Sequence, residues 1–228
     1  MAGIHPAQRA ALIVPVRGQF FNDLAGEGAL GMLLLAQMGG APNELHAIIE
    51  TAQYDAAANG LRPTGGYAVR ALGVVDHRVQ LGMFEKAALY ENADHPLLLH
   101  FNTPRVAVHF DGKPKDVNEL VLDISQAYIS VFLNWRHLVD HPDDINRTVP
   151  LIDLLNRGYG LLGTMPKPLA ERMARVLAHH GMAASLSEDV SFATTDDHGR
   201  SRLAKLLLLD DAYFIAFEFS FEPMGRQG

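Results

Sequence analysis

Apolar positions in residues 28–60 recur with the spacing of a helix face. Leu45, Ile48 and Ile49 lie on one side of a helical wheel, and Asn43 is a suitable N-cap before them. An earlier apolar run over 29–38 contains no charged residue and is followed by two glycines. The pattern therefore predicts two helices, one over 29–38 and one over 43–60.

Residues 66–110 alternate in the manner of strands. The segment 97–110 indicates a hairpin that turns at 102–105, with its apolar side chains on one face by the period of two. The opposite face of this predicted hairpin would hold Leu98, His100, Ala107 and His109. We therefore expect His100 and His109 to share one face of a sheet.

The strongest helical pattern runs over 116–140. Asp116 and Glu119 are spaced as a capping box, and a continuous apolar stripe follows them. This helix is predicted to be central and buried on most sides. Shorter helices are predicted over 148–157 and 168–180, and strands over 190–193, 203–209 and 215–221.

Together these elements predict an α+β fold. Its strands are predominantly antiparallel, fall in two blocks at about 66–110 and 183–221, and pack with about five helices. No linker rich in proline, glycine and serine divides the chain. We therefore predict a single domain over 1–228, with tightly packed halves 1–112 and 113–228 as the alternative.

Composition narrows the possible functions. The chain has 228 residues, 48% of them hydrophobic, and no cysteine, which excludes disulfides, thiolate metal sites and cysteine nucleophiles. The formal net charge of −7 disfavours nucleic-acid binding, which draws its affinity from phosphate neutralisation. The lack of a signal-peptide pattern and of a long apolar stretch predicts a soluble, cytoplasmic protein without a membrane partner.

Gly26, Gly28 and Gly31 match the spacing G-x-G-x-x-G of dinucleotide-binding proteins. That fingerprint requires an apolar strand directly before the first glycine, and the polar segment 21–25 is not such a strand. The match is therefore interpreted as chance in a chain with 20 glycines, and no cofactor is assigned.

Histidine is the most promising source of chemistry, with 11 residues in the chain. If His100 and His109 share a sheet face, their imidazoles could converge on a metal or ligand, and His77 and Arg105 could join them. The alternative is a semi-polar sheet face whose histidines are hydrogen-bonded beneath a helix. His77, His100, Arg105 and His109 are the candidate site residues.

Two further clusters are weaker. His137 and His141 have the spacing of zinc ligands on a helix, but Leu138 replaces the glutamate that metalloproteases need, and Pro142 ends the helix. A basic cluster lies on the predicted helix 168–180 and in the segment after it and suggests a nucleic-acid module, although carboxylates close by offset its charge. This cluster comprises Arg172, Arg175, Arg200, Arg202 and Lys205.

No motif is specific enough to assign a reaction, so three hypotheses remain. The first is a small-molecule-binding or noncatalytic interaction protein, a homodimer, because sheet segments are apolar on both faces. The residues that suggest this are Leu72, Val74, Phe214 and Ala216. The second is an enzyme with a histidine-based site, with or without a metal, on the His100/His109 face. The third is a nucleic-acid-binding module.

Overall fold

A computed structural model describes residues 16–138, 142–192 and 202–225. Its α-helices are α1 (Val16–Asp23), α2 (Leu99–Asn102), α3 (Val117–Phe132), α4 (Leu151–Arg157) and α5 (Lys167–His179). Its strands are β1 (Ala29–Met38), β2 (Glu44–Asp55), β3 (Gly60–Arg78), β4 (Gly82–Phe84), β5 (Ala87–Tyr90), β6 (Pro104–Asp111), β7 (Tyr159–Pro166), β8 (Ala183–Phe192), β9 (Lys205–Leu209) and β10 (Ala212–Pro223). Two short 3-10 helices cover Pro96–Leu98 and Pro142–Asp144.

These elements confirm the predicted α+β class. The strands form a seven-stranded sheet in the order β4-β1-β2-β3-β10-β9-β5 and a three-stranded sheet in the order β7-β6-β8. The chain divides into two compact units, one of Met1–Ala88, Leu208–Phe214 and Phe219–Gly228, the other of Leu89–Leu207 and Ile215–Glu218. The prediction of a single domain is not tested by this division and stays a prediction. No helix in the described residues is long and apolar enough to cross a membrane.

The two helices predicted over 28–60 are wrong, because this segment forms the antiparallel strands β1 and β2. Leu45, Ala47, Ile49 and Thr51 are buried on β2 with a period of two, and Glu44 at the start of the strand is buried as well. The helical spacing of the larger apolar residues was a coincidence that hid this alternation. A strand and a buried helix segment cannot be distinguished by a short apolar run alone.

The predicted hairpin at 97–110 is also wrong in its first half. His95 caps a 3-10 turn, since its Nδ1 accepts a hydrogen bond of 3.2 Å from the Leu97 backbone N–H, and Pro96 favours a helical start. Residues 96–102 are therefore helical, and β6 begins at Pro104. Because His100 lies on α2 and His109 on β6, the two histidines do not share a sheet face.

In the second unit, α3, α4 and α5 cover the sheet β7-β6-β8. Asp116 caps α3 through hydrogen bonds of 2.8 and 3.2 Å from the backbone N–H groups of Asn118 and Glu119. The helix ends at Phe132, rather than at 140, because Leu133 and Asn134 both have positive φ. The buried core beneath the helices includes Val106, Val108, Phe110, Leu120, Ile124, Phe132, Leu155, Leu169, Met173 and Leu177.

In the first unit, α1 packs on the sheet through aromatic contacts. The Phe20 ring centroid lies 5.2 Å from that of Tyr67 and 5.1 Å from that of Phe221. The Tyr67 hydroxyl donates a hydrogen bond of 2.6 Å to Asp23 Oδ2 at the end of the helix. Burial and this carboxylate raise the pKa of Tyr67, so the phenol stays protonated and keeps α1 attached.

Candidate functional site

The second unit contains a buried polar cluster around Asp144, whose side chain is 1% exposed. His100 Nε2 donates to Asp144 Oδ2 at 2.6 Å, and the Tyr128 hydroxyl donates to the same oxygen at 2.9 Å. Arg105 Nη2 lies 3.1 Å from Asp144 Oδ1 and also donates to the Thr164 carbonyl. Side chains from α2, β6 and α3 thus meet at one carboxylate, which lies 44, 39 and 16 positions from them in sequence.

The charges of this cluster are fixed by its surroundings. Burial alone would raise the pKa of Asp144, but the hydrogen bonds from His100 and Tyr128 and the charge of Arg105 hold this pKa below its usual range. Burial lowers the pKa of His100 against the opposing effect of Asp144, and the charges of Arg136 and Arg105 lower it further. A neutral imidazole therefore donates to an ionised carboxylate.

The predicted site residues are only partly brought together. His100 and Arg105 both bind Asp144, but the His109 side chain is exposed on β6. His77 lies exposed on β3, in the first unit. Among the described residues, no group of three or more histidines and carboxylates is arranged to hold a metal ion.

Two weaker candidates are resolved differently. The segment containing Gly26, Gly28 and Gly31 leads into β1, so it lacks the helix N-terminus that a dinucleotide fingerprint needs. Gly31 is instead required for packing, because a Cβ there would lie 2.1 Å from the Phe84 ring. His137 lies after the end of α3, and His141 lies outside the described residues.

Part of the basic cluster predicted from the sequence is paired with carboxylates. Arg202 pairs with Glu218 and lies 5.4 Å from the Phe217 ring centroid, and Lys205 pairs with Glu91 at 3.2 Å. Arg200 lies outside the described residues. Arg172 and Arg175 remain, and they line a groove between α3 and α5.

This basic groove has a volume of about 510 Å³ and is formed by one face of each helix. Residues four and three apart share a helix face, which explains why these positions meet along the groove. The side chains on the α5 wall are Arg172, Arg175, Val176 and His179, and those on the α3 wall are Asp123, Gln126, Ala127 and Ser130. Asp123 is also bound by His180 Nε2 at 2.8 Å.

The basic groove and the Asp144 cluster differ in access. His100 is 3% exposed and Tyr128 is fully buried, so a solute cannot reach the polar atoms of these two side chains without local opening. Arg172, Arg175 and His179 are exposed at the groove. No family model, curated protein or solved structure matches the chain. A binding site is therefore inferred from the geometry of the basic groove.

Proposed function

We propose that this chain is a small-molecule-binding protein whose ligand lies in the basic groove and carries an anionic group. The observation that carries the proposal is that Arg172, Arg175 and His179 all line one wall of the groove. Its volume of about 510 Å³ falls in the usual range of ligand sites, about 300–1,000 Å³. Guanidinium groups suit such a ligand because they bind carboxylate and phosphate oxygens with paired N–H donors.

The charge pattern supports an anion as the ligand. Like charges three or four residues apart destabilise a helix by about 0.2–0.5 kcal/mol per pair. Arg172 and Arg175 have this spacing on α5, in a chain whose formal net charge is −7. A bound anion would offset their repulsion and would add charge-assisted hydrogen bonds.

The proposal is tested by calorimetric titration of inorganic phosphate and succinate into the wild-type chain and the R172Q/R175Q variant. A hydrogen bond to a charged group contributes about 1.5–3 kcal/mol, so the variant should bind at least about tenfold more weakly. The matched control is K167Q/R157Q, which removes two exposed positive charges from α5 and α4 outside the groove. Equal weakening in the control, or no binding of either anion by the wild type, would refute the proposal.

The histidine-based enzyme site is the weaker alternative. Its two main residues are separated, with His100 buried against Asp144 and His109 exposed on another element. It stays a prediction, as does the cytoplasmic location. A nucleic-acid module receives less support, since Arg202 and Lys205 are already paired with carboxylates.

A second candidate function is homodimerisation, and a specific apolar surface favours it. Val74, Phe214 and Ala216, which suggested a dimer from the sequence, are buried within the chain. Other apolar side chains near β1 and β4 are exposed instead, and we call them the β1 surface. It comprises Met32, Leu34, Leu35, Met38, Leu81 and Met83.

The edge of β1 supports this second candidate. β4 pairs with β1 only at 31–33. Directly after this stretch, between Leu33 and Leu35, the pairing of β1 with β2 shifts register. The following residues 34–38 carry no charge or proline, two of the features that protect strand edges from pairing with another chain. An antiparallel edge can pair with a second copy of itself about a two-fold axis.

Light scattering coupled to size-exclusion chromatography tests the dimer. The wild-type chain should elute with twice the monomer mass, and L34K/M38K should elute as a monomer. The control is L122K, which places a charge at an exposed leucine on α3. A monomeric wild type, or a dimer that persists in L34K/M38K, would refute pairing through the β1 surface.

A further inference from the structure

The two walls of the basic groove differ in chemistry. The α5 wall presents two guanidinium groups and an imidazole, whereas the α3 wall presents a carboxylate, an amide and a hydroxyl. Resting on the proposed function, we infer that the ligand is a small phosphate ester with several hydroxyl groups, the class to which sugar phosphates belong. Its phosphate faces α5 and its hydroxyl groups face α3.

The α5 wall favours phosphate over a single carboxylate. Arg172 and Arg175 are one helical turn apart, so their Cβ atoms are separated by about 5–6 Å. Two guanidinium groups at that spacing can both bind one tetrahedral group that has three terminal oxygens. A phosphate ester is such a group, and it carries a charge of about −1.5 to −2. His179 lies on the same wall and offers a further donor.

The α3 wall favours hydroxyl groups. The Ser130 hydroxyl donates to the Ala127 carbonyl at 2.8 Å, so its proton is committed and its oxygen is suited to accept a hydrogen bond. Gln126 offers both a donor and an acceptor, and the Asp123 carboxylate only accepts. Hydroxyl groups, which donate and accept together, match this set better than a second anion, which Asp123 would repel.

A nucleotide fits the groove less well. Binding of a base usually relies on stacking against an aromatic ring or a guanidinium plane. Among the lining residues within the described ranges, the imidazole of His179 is the only ring, and both arginines are assigned to the phosphate. Ala127 and Val176, the apolar residues of the two walls, are small and offer no broad apolar surface for a base.

The experiment compares five probes by calorimetric titration: glucose 6-phosphate, inorganic phosphate, glucose, succinate and AMP. Glucose 6-phosphate should bind at least about tenfold more tightly than inorganic phosphate, and more tightly than glucose, succinate or AMP. In the Q126A/S130A variant, the Kd for glucose 6-phosphate should rise to that of inorganic phosphate, whose own Kd should not change. R172Q/R175Q should weaken both phosphates, and K167Q/R157Q should weaken neither.

The possible failures are distinguishable. Equal affinity for glucose 6-phosphate and inorganic phosphate, or no effect of Q126A/S130A, overturns the assignment of hydroxyl groups to α3. Tighter binding of succinate or AMP that still depends on Arg172 and Arg175 overturns the sugar-phosphate class and leaves the proposed function standing. If none of the anions binds, the proposed function itself is overturned.

Discussion

Two buried carboxylates, one in each compact unit, show how differently a polar cluster can be built. Asp144 is 1% exposed, and its partner His100 is 4% exposed at the side chain. Glu44 is similarly enclosed, with a side chain 5% exposed, but its partners His46 and Arg70 are 46% and 51% exposed. We call the first cluster dry, because in it only Arg105 reaches water, with a side chain 21% exposed, and the second cluster wet, because its buried acceptor is bound by donors that are about half exposed.

This difference determines what the loss of each carboxylate would leave behind. Without Asp144, the donors on His100 and Tyr128 lose this acceptor at positions that are buried from water. Without Glu44, His46 and Arg70 can be solvated where they are, and the Ala41 backbone N–H loses an acceptor at 3.2 Å. The cost of an unsatisfied group depends on its burial, so the two clusters should respond unequally to the same substitution.

The largest effect is expected for D144A. D144A breaks the ion pair with Arg105 and the hydrogen bonds from His100 and Tyr128, so it should cost about 3–5 kcal/mol in the free energy of unfolding, and E44A should cost clearly less. Urea denaturation followed by circular dichroism measures both. D153A, at an exposed position in the first turn of α4, is the control and should cost at most about 1 kcal/mol, the usual contribution of a carboxylate near a helix N-terminus. A similar loss in D144A and E44A would contradict the comparison.

The backbone beneath Asp144 gives the next test. A Cβ on Gly163 would lie 1.9 Å from the Asp144 carbonyl oxygen and 2.9 Å from Ile145 Cα. G163A should therefore displace the segment that holds the carboxylate and cost about 1–3 kcal/mol or more. G40A is the control, since nothing lies within 4 Å of its added Cβ. If G163A has the same urea midpoint as the wild-type chain, the close approach of Gly163 to the Asp144 backbone does not constrain the fold.

The Asp144 cluster also shows what the sequence can and cannot reveal. Capping by Asp116 and an apolar stripe predicted α3, and proline with helical spacing predicted α5, because these signals are local. Asp144 meets His100 and Arg105 across 44 and 39 positions of sequence, and no local pattern reports such a contact.

The α5 wall of the basic groove is easier to recognise in the sequence than the Asp144 cluster. The sequence identifies Arg172 and Arg175 only as members of a basic cluster whose charge is offset by carboxylates close by. Gln126 and Ser130 have helical spacing on α3, yet nothing in the sequence indicates that this face lies beside α5. The strands β1 and β2 were missed for another reason, since Ala47 and Thr51 are small or polar and conceal a buried face.

A smaller effect is expected for Y128F. The substitution keeps the ring, which lies 4.8 Å from the Phe132 centroid, and removes one donor to Asp144. Loss of a buried hydrogen bond to a charged group should cost about 1.5–3 kcal/mol, less than D144A because His100 and Arg105 remain. Thermal denaturation measures the change, with Y159F at an exposed tyrosine as the control. A loss of unfolding free energy as large as that of D144A would mean that the Tyr128 hydrogen bond alone accounts for the stability that the cluster contributes.

The subtlest expected effect is the pH range in which each cluster loses stability. The pKa of His100 is lowered from 6.5, so the folded state favours the neutral imidazole. Its contribution is fully present above pH 6.5 and decreases as the pH falls below that value, where the unfolded chain binds the proton more readily. Glu44 behaves differently, because hydrogen bonds from His46 and Arg70 lower its pKa from 4.5 to about 2.

The contribution of Glu44 is therefore present above pH 4.5 and is lost as the pH falls from 4.5 towards about 2. Unfolding free energies measured from pH 8 to pH 3 should separate the two clusters. H100N should flatten the dependence of unfolding free energy on pH just below pH 6.5. E44Q should flatten this dependence only below pH 4.5. The flattening in E44Q should be incomplete, because Asp144 also titrates at low pH in both variants. If E44Q changes the slope near pH 6 and H100N does not, the wet cluster rather than the dry one controls stability in that range.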